Sequence, residues 1–204
     1  MAVHFHEQDL PEGVLAPGPV AVDTETMGLQ HQRDRLCVVQ LSPGDGSADV
    51  VQFPPGDTEA SNLVKLLSDP KRLKLFHFAR FDLATLYKTF GVMAEPVYCT
   101  KIASRIARTY TDKHGLKDLV RELLGLDLSK QQQTSDWGVA TLSDAQVAYA
   151  AADVLHLHAL KQRLDELLIR EGRAELAEAC FRFLPTRVRL DLAGWVEEDL
   201  FAHS

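Results

Sequence analysis

The chain has 204 residues, of which 46% are hydrophobic, and its formal net charge is −7. This length and composition predict one soluble globular domain with a sizeable core. The negative charge argues against a protein that coats nucleic acid by bulk attraction, although a small local binding site remains compatible with it.

The cysteines and the N-terminus bear on the compartment. Cys37, Cys99 and Cys180 are far apart and form neither a CxxC pair nor a zinc-binding spacing, which indicates free thiols in a reducing compartment, the cytoplasm. The N-terminus has no basic-then-apolar signal pattern, and no apolar run approaches the roughly 18 residues that span a bilayer. We therefore expect no membrane insertion.

Apolar runs predict strands in the first half of the chain. The first strand is expected at residues 20–23, and two more are expected at 36–42 and 48–53, with the turn signal PGDG between them. These three runs predict a meander. Residues 73–78 read as a fourth strand and 97–99 as a short fifth.

Helical spacing dominates the rest of the chain. In chain order, the predicted helices are 61–67, 82–90, 100–108, 116–124, 143–168, 174–183 and 190–201. Strands first and helices later, with βα units between them, predict an α/β fold in which a mixed β-sheet is flanked by helices and followed by a helical C-terminal part. No repeat or linker divides the chain, so a single domain over residues 1–204 is expected.

The first predicted strand ends in two acids, Asp23 and Glu25, in the stretch VAVDTETMGL. Residues i and i+2 of a strand point to the same face, so the two carboxylates lie side by side and repel each other. A bound divalent cation such as Mg²⁺ would remove this repulsion. Taken alone, the pair is better read as a solvent-exposed strand end.

Two further stretches change that weighting. HFARFD, residues 77–82, brings Asp82 to the start of a helix, where an acid is ordinarily only a cap. YAAADV, residues 149–154, puts Tyr149 and Asp153 on one helix face among alanines. An acid in such a packed helix is costly unless it is paired or bound to a metal.

In this order DTET, HFARFD and Tyr-x-x-x-Asp resemble the three exonuclease motifs of the DEDD superfamily of 3′-to-5′ exonucleases, in the subgroup whose third motif carries tyrosine. The segment SKQQQTSDWG and the following LSDAQVAYAAADVLHL are similar to RNase D-like proteins. The chain resembles short stand-alone members of that family, which lack the C-terminal helicase-and-RNase-D domain. The resemblance implies an RNase H-like fold and one exonuclease domain.

The resemblance also implies two divalent cations, Mg²⁺ or Mn²⁺. Asp23, Glu25 and Asp153 would hold one ion, Asp23 would bridge to the second, and Asp82 would help to hold that second ion through water. Tyr149 would orient the attacking water and help to deprotonate it. Because a free phenol has a pKa near 10, this role requires the metal to lower the pKa of the water itself.

Several contacts with the substrate follow from the same resemblance. The backbone of Thr26 and Met27 would lie near the 3′-terminal sugar, and Leu29 would act as an apolar wedge against the bases. A core leucine after a turn is an equally good reading of Leu29. His77 and Phe81 would line the pocket, although an aromatic residue beside a strand end usually belongs to the core.

A loop and a basic segment complete the expected substrate contacts. Gln133 and Trp137 fit a substrate-side loop by resemblance, while Trp137 could instead anchor that loop. The segment 101–121 carries six basic residues against two acids, either as a solvated helix face or as a phosphate-binding patch. We expect Arg108, Lys113 and His114 to contact the 5′ phosphate.

An acidic chain without an auxiliary domain suits a very short substrate better than a long RNA, which needs an extended basic track. By resemblance, the substrates are diribonucleotides such as pGpG, and the protein assembles as a homo-octameric ring. One alternative is a broader 3′-to-5′ exonuclease acting on longer RNA or on DNA. Another is a nucleic-acid-binding module without catalysis, which would require the loss of at least one metal ligand.

Overall fold

A computed structural model describes residues 2–128, 132 and 134–203. The strands form one six-stranded sheet in the order β1-β4-β3-β2-β5-β6. The strands are β1 Ala2–Glu7, β2 Val20–Thr26, β3 Leu36–Ser42, β4 Ser47–Gln52, β5 Lys74–Phe76 and β6 Val97–Cys99.

The sheet is mixed, as predicted. Strands β2, β3 and β4 form the expected antiparallel meander, while β5 and β6 extend the sheet in parallel from β2. Strand β1 pairs in parallel with β4. Every residue of the central strand β3 is buried, so both of its faces are covered, as in an α/β sandwich.

Seven helices surround the sheet in the described part of the chain. They are α1 Ser61–Ser68, α2 Ala79–Phe90, α3 Thr100–Ala107, α4 Leu116–Leu119, which continues into a π-helical turn at Val120–Leu124, α5 Asp144–Leu155, α6 Leu157–Arg170 and α7 Ala174–Leu192. Helix α5 packs against β1 to β4, and α2 packs against α7 and against β2, β3, β5 and β6. No helix among the described residues is both long and apolar enough to cross a membrane.

Three predictions about elements were wrong. Strand β1 was missed because its exposed residues give no clear apolar alternation. The predicted helix 143–168 is divided at His156, which ends α5 and begins α6. The predicted helix 190–201 does not form, because α7 runs through Pro185 to Leu192 and Gly194, at φ 112°, lies just beyond its end.

The start of α5 is fixed by local chemistry. The Ser143 hydroxyl accepts a hydrogen bond from the backbone N–H of Gln146, and the Gln146 side chain accepts one in return from the backbone N–H of Ser143. This capping box satisfies two donors that a helix start otherwise leaves unpaired. It also sets the phase of the helix that carries Tyr149 and Asp153.

Candidate active site

The site begins on the central strand β2. Asp23 and Glu25 alternate with Thr24 along this strand, and all three side chains are buried or half-buried. The register with β3 shifts between Glu25 and Thr26, so the ladder becomes irregular where the acids end. Such a bulge re-aims the following residues, and it is common beside active sites.

Two helices bring the remaining acids to β2. Carboxylate oxygens of Asp23, Glu25 and Asp153, the last from α5, all lie within 4.8 Å of one another. Asp82, in the first turn of α2, is only 3% exposed and accepts a 2.7 Å hydrogen bond from the Thr24 hydroxyl. The acids from α2 and α5 thereby line one cavity together with those of β2.

The four carboxylates perturb one another strongly. Burial, followed by the repulsion of Asp153 and Asp82, raises the pKa of Glu25 to about 9. Burial raises the pKa of Asp82 to about 7 against the opposing hydrogen bond from Thr24, and it raises the pKa of Asp153 to about 7. The pKa of Asp23 is also raised well above its usual range, by burial and then by the other three acids.

This group of side chains fits a pair of hard divalent cations. Oxygen ligands are the ones that Mg²⁺ prefers, and mutual repulsion among buried acids is relieved when a cation joins them. The compact trio Asp23, Glu25 and Asp153 matches the ligand set expected for one ion. Asp82 stands apart from that trio, in agreement with a role at a second ion.

Tyr149 lies one helical turn before Asp153 on α5. Burial, then the charges of Asp153 and Glu25, raise its pKa above the ordinary range of a phenol. The Tyr149 ring packs near the indole of Trp137, with 6.1 Å between ring centroids. Trp137 is only 4% exposed, so it anchors the loop before α5 beside Tyr149, as the alternative in the sequence analysis expected.

A cavity of about 370 Å³ lies over the acids. Leu29 lines it and is 82% exposed, and neighbouring Met27 is 59% exposed. The reading of Leu29 as a core leucine is therefore wrong, and its position agrees with a wedge against a substrate. The side chain of Thr26 is turned back to the carbonyl oxygen of Gly28, which shapes the turn that carries both apolar residues.

His77 and Phe81 both line this cavity. The Thr100 hydroxyl donates its single proton to the carbonyl oxygen of Phe76 (3.2 Å), so it accepts the proton of His77 Nδ1 (2.9 Å). His77 Nε2 is then left as an acceptor. Burial, together with the charge of Lys101, lowers the pKa of His77 to about 3, and the ring is therefore neutral.

The three residues expected at the 5′ phosphate do not line the cavity. Arg108 is fully buried, and its guanidinium pairs with Glu122 and donates to Ser104 Oγ and the Lys113 carbonyl oxygen. His114 Nδ1 lies 2.8 Å from the same Ser104 oxygen. These contacts give Arg108 and His114 structural roles.

The basic residues at the cavity are instead Lys101 and Lys117. The Lys101 ammonium lies 4.3 Å from the centroid of the Phe78 ring. Both lysines belong to the basic segment 101–121. The sequence could not predict which basic residues of that segment line the cavity. Gln133, the other residue expected in the substrate-side loop, lies outside the described residues.

Sequence reasoning also missed the side chains that hold the acids. Thr24 was passed over between Asp23 and Glu25, although a hydroxyl between two acids is a usable signal. Gln40, directly opposite Asp23 in the β2–β3 ladder, donates a 3.1 Å hydrogen bond to Asp23 Oδ2. Its only sequence signal is a polar residue inside the apolar run LCVVQLS.

Comparison with known proteins agrees with this geometry. Residues 5–169 match a family model described as 3′-5′ exonuclease. Ribonuclease D of Gluconacetobacter diazotrophicus is 39% identical over 156 residues, which cover 76% of this chain but only 39% of that protein. The chain therefore spans less than half the length of this curated relative.

Solved structures of NrnC from Brucella melitensis are similar over their full length. The form with bound Mg²⁺ is 57% identical with a TM-score of 0.96, and the form bound to pGG is 58% identical with a TM-score of 0.97. Each alignment covers 100% of both chains. The resemblance and the fold class expected from the sequence are thus confirmed.

Proposed function

Since this chain belongs to the 3′-5′ exonuclease family and is RNase D-like, we propose that it hydrolyses short oligoribonucleotides from the 3′ end, with diribonucleotides such as pGpG as preferred substrates. The observation that carries this proposal is the convergence of Asp23, Glu25 and Asp153 within 4.8 Å, next to the buried Asp82. Four acids with raised pKa values and a cavity above them suit metal-assisted hydrolysis of a phosphodiester.

The four carboxylates would hold two Mg²⁺ or Mn²⁺ ions. Asp23, Glu25 and Asp153 would hold the first ion, and Asp23 and Asp82 the second. When bound, such a pair stabilises the attacking and leaving oxygens of an in-line displacement and lowers the pKa of the attacking water.

Tyr149 would hold the attacking water in position. Because its pKa lies above the ordinary range, the phenol keeps its proton at neutral pH and acts through hydrogen bonds. Its further expected role, helping to deprotonate the water, depends on the metal ions lowering the pKa of the water itself.

The terminal nucleotide would enter the cavity between the exposed apolar residues and the acids. Leu29 and Met27 offer apolar surface to the bases, while Lys101 and Lys117 offer positive charge to phosphates. Two lysines are a short basic track, which favours a short substrate over a long RNA. The structure of B. melitensis NrnC bound to pGG supports the same substrate class.

A broader exonuclease acting on longer RNA or on DNA is the second candidate, since the same acids would serve it. The test is to measure kcat/KM on 5′-labelled ribo-oligomers of two to seven nucleotides, and on matching DNA, with Mg²⁺ and with Mn²⁺. Our proposal expects a steep fall beyond the dinucleotide. A flat profile across lengths would favour the broader activity.

The homo-octameric assembly and the cytoplasmic location remain predictions. Large apolar side chains support some form of assembly, since Trp195, Leu200 and Phe201 are at least 41% exposed beyond α7 and exposed apolar side chains gain free energy when a partner buries them. Light scattering of the purified chain tests the ring directly. A stable monomer across the working concentration range would remove it.

A further inference from the structure

We propose that Gln40 and Thr24 are positioning residues for the second cation: they fix the orientation of Asp23 and Asp82, the two carboxylates that would share this ion. Neither residue is one of the four acids or the tyrosine, although Thr24 lies between Asp23 and Glu25 in the DTET motif. The inference rests on the proposed two-ion site, and it concerns how the protein's own side chains prepare that site before any ion or substrate arrives.

The geometry of Gln40 is unusual for a core residue. It lies directly opposite Asp23 in the ladder, on the same face of the sheet, and its side chain is fully buried. Its Nε2 donates to Asp23 Oδ2 at 3.1 Å, while its Oε1 has no hydrogen-bond partner among the described residues. A buried acceptor without a partner costs about 1–3 kcal/mol.

A core selected for stability alone would avoid that cost with an apolar residue such as methionine. Gln40 instead supplies an N–H donor to Asp23, which an apolar residue lacks. The amide also carries no charge, so it orients the carboxylate without repelling a cation. Lysine or arginine at this position would donate as well but would compete with the ion for the site.

Thr24 orients Asp82, the other carboxylate expected at the second ion. Its buried hydroxyl donates to Asp82 Oδ1 at 2.7 Å, which leaves the second oxygen of Asp82 free of this bond. A hydroxyl on β2 and an amide on β3 thus orient the two carboxylates that would share the second ion. Because Asp23 would also be a ligand of the first ion, Gln40 bears on both ions, whereas Thr24 bears on the second alone.

Groups that orient metal ligands in this way change metal affinity by about 10–100-fold when they are removed. Gln40→Met and Thr24→Val keep the side-chain volume and remove the donor, and the Gln40 change also removes the unpartnered Oε1 acceptor. We expect Thr24→Val to weaken by at least about 10-fold the Mn²⁺ binding step that involves Asp82, and Gln40→Met to weaken both binding steps by a similar factor, because Asp23 would be a ligand of both ions. Thr24→Ser keeps a hydroxyl and should retain the affinity of the unchanged protein.

The experiment counts bound Mn²⁺ by electron paramagnetic resonance on the full chain, without substrate or turnover. The matched controls are Gln52→Met and Thr85→Val: Gln52 is a buried glutamine of β4 that donates to the Val139 carbonyl oxygen, and Thr85 is a buried threonine of α2 whose hydroxyl lies 3.3 Å from His31 Nδ1. The controls should bind two ions as the unchanged protein does. Thermal unfolding in EDTA checks that each variant is folded.

The outcomes separate this inference from the proposed function. If Gln40→Met and Thr24→Val are folded and give the binding curve of the unchanged protein, the positioning role is wrong, whatever the activity. A lower melting temperature with unaltered Mn²⁺ binding would mean a purely structural role and would also overturn it. If the unchanged protein binds two ions and the variants bind Mn²⁺ more weakly, Thr24→Val in one step and Gln40→Met in both, but no RNA is cleaved, the inference stands and the proposed function fails.

Discussion

Carboxylate oxygens of Glu25 and Asp153 lie within 4.8 Å of each other, although Glu25 belongs to strand β2 and Asp153 to helix α5, which is far from β2 in the sequence. Two buried acids at this distance repel each other in a medium that screens poorly. A cation bound between the two carboxylates would relieve this repulsion.

Replacing Asp153 with asparagine should abolish hydrolysis while leaving the fold intact. Loss of one group that stabilises transition-state charge costs on the order of 10²–10³ in rate, and Asp153 would in addition be an ion ligand. The same variant should unfold in EDTA at a temperature at least as high as the unchanged protein, because one repelling charge is gone. Turnover and circular dichroism melting measure the two effects.

The control is Asp127→Asn, which neutralises an exposed acid outside the cavity. It should leave both turnover and melting temperature unchanged. Undiminished turnover in Asp153→Asn would remove that residue from the ion site.

Stability of the metal-free protein should fall as pH rises. Glu25, Asp82 and Asp153 have pKa values of about 9, 7 and 7 in the folded chain, whereas unfolded acids titrate near pH 4. Between these values the folded state binds more protons than the unfolded state, so the free energy of unfolding decreases with increasing pH. The stabilisation is complete below about pH 4 and is lost as pH rises through the folded values.

Mg²⁺ reverses this trend because it binds the ionised carboxylates and releases their protons. The rise in melting temperature on adding Mg²⁺ should therefore be small at pH 5.5 and large at pH 8.5. Differential scanning calorimetry with EDTA or Mg²⁺ at both pH values gives the comparison. A Mg²⁺ effect that shrinks towards alkaline pH would contradict the linkage.

Leu29→Ala should weaken substrate binding without weakening the fold. The side chain is 82% exposed at the mouth of the cavity, so its removal leaves no internal void. We expect KM for a dinucleotide to rise by about 10-fold, the scale of 1–3 kcal/mol for a base stacked on a side chain, and the melting temperature to stay constant. Leu126→Ala, at an exposed leucine outside the cavity lining, is the matched control. Equal KM values for the two variants would contradict the role of Leu29 as a wedge against the bases.

Lys101, not Lys113, should contribute to phosphate binding. Lys101 lines the cavity, and its ammonium lies above Phe78, whereas Lys113 does not line the cavity. Lys101→Met should raise KM and reduce its dependence on salt, because one fewer phosphate contact releases fewer counterions. Steady-state kinetics at roughly 50 and 200 mM KCl, a range over which such salt effects are visible, compare it with Lys113→Met, for which we expect no change.

Local spacing explains why the acids could be found from the sequence. Asp23 and Glu25 share a strand face, and Tyr149 and Asp153 share a helix face, so each pair is set by backbone periodicity alone. The meander and the central strand followed from apolar runs for the same reason. These features depend on residues close together in the chain.

Contacts between side chains of different helices and strands could not be predicted from local spacing. Thr24 reaches Asp82 and Gln40 reaches Asp23 only once the sheet and α2 have assembled. Arg108 was assigned to the substrate because of its charge, but the folded chain buries it against Glu122. A charged residue is usually exposed, but it can be buried when it is paired with an opposite charge, and the sequence does not show that pairing.

The central claim is that the four acids hold a pair of divalent cations, and anomalous scattering from a crystal soaked in Mn²⁺ tests it most directly. The account predicts two Mn²⁺ peaks, the first among Asp23, Glu25 and Asp153 and the second between Asp23 and Asp82, with a separation of about 4 Å. Well-ordered acids with no anomalous peak among them would contradict it.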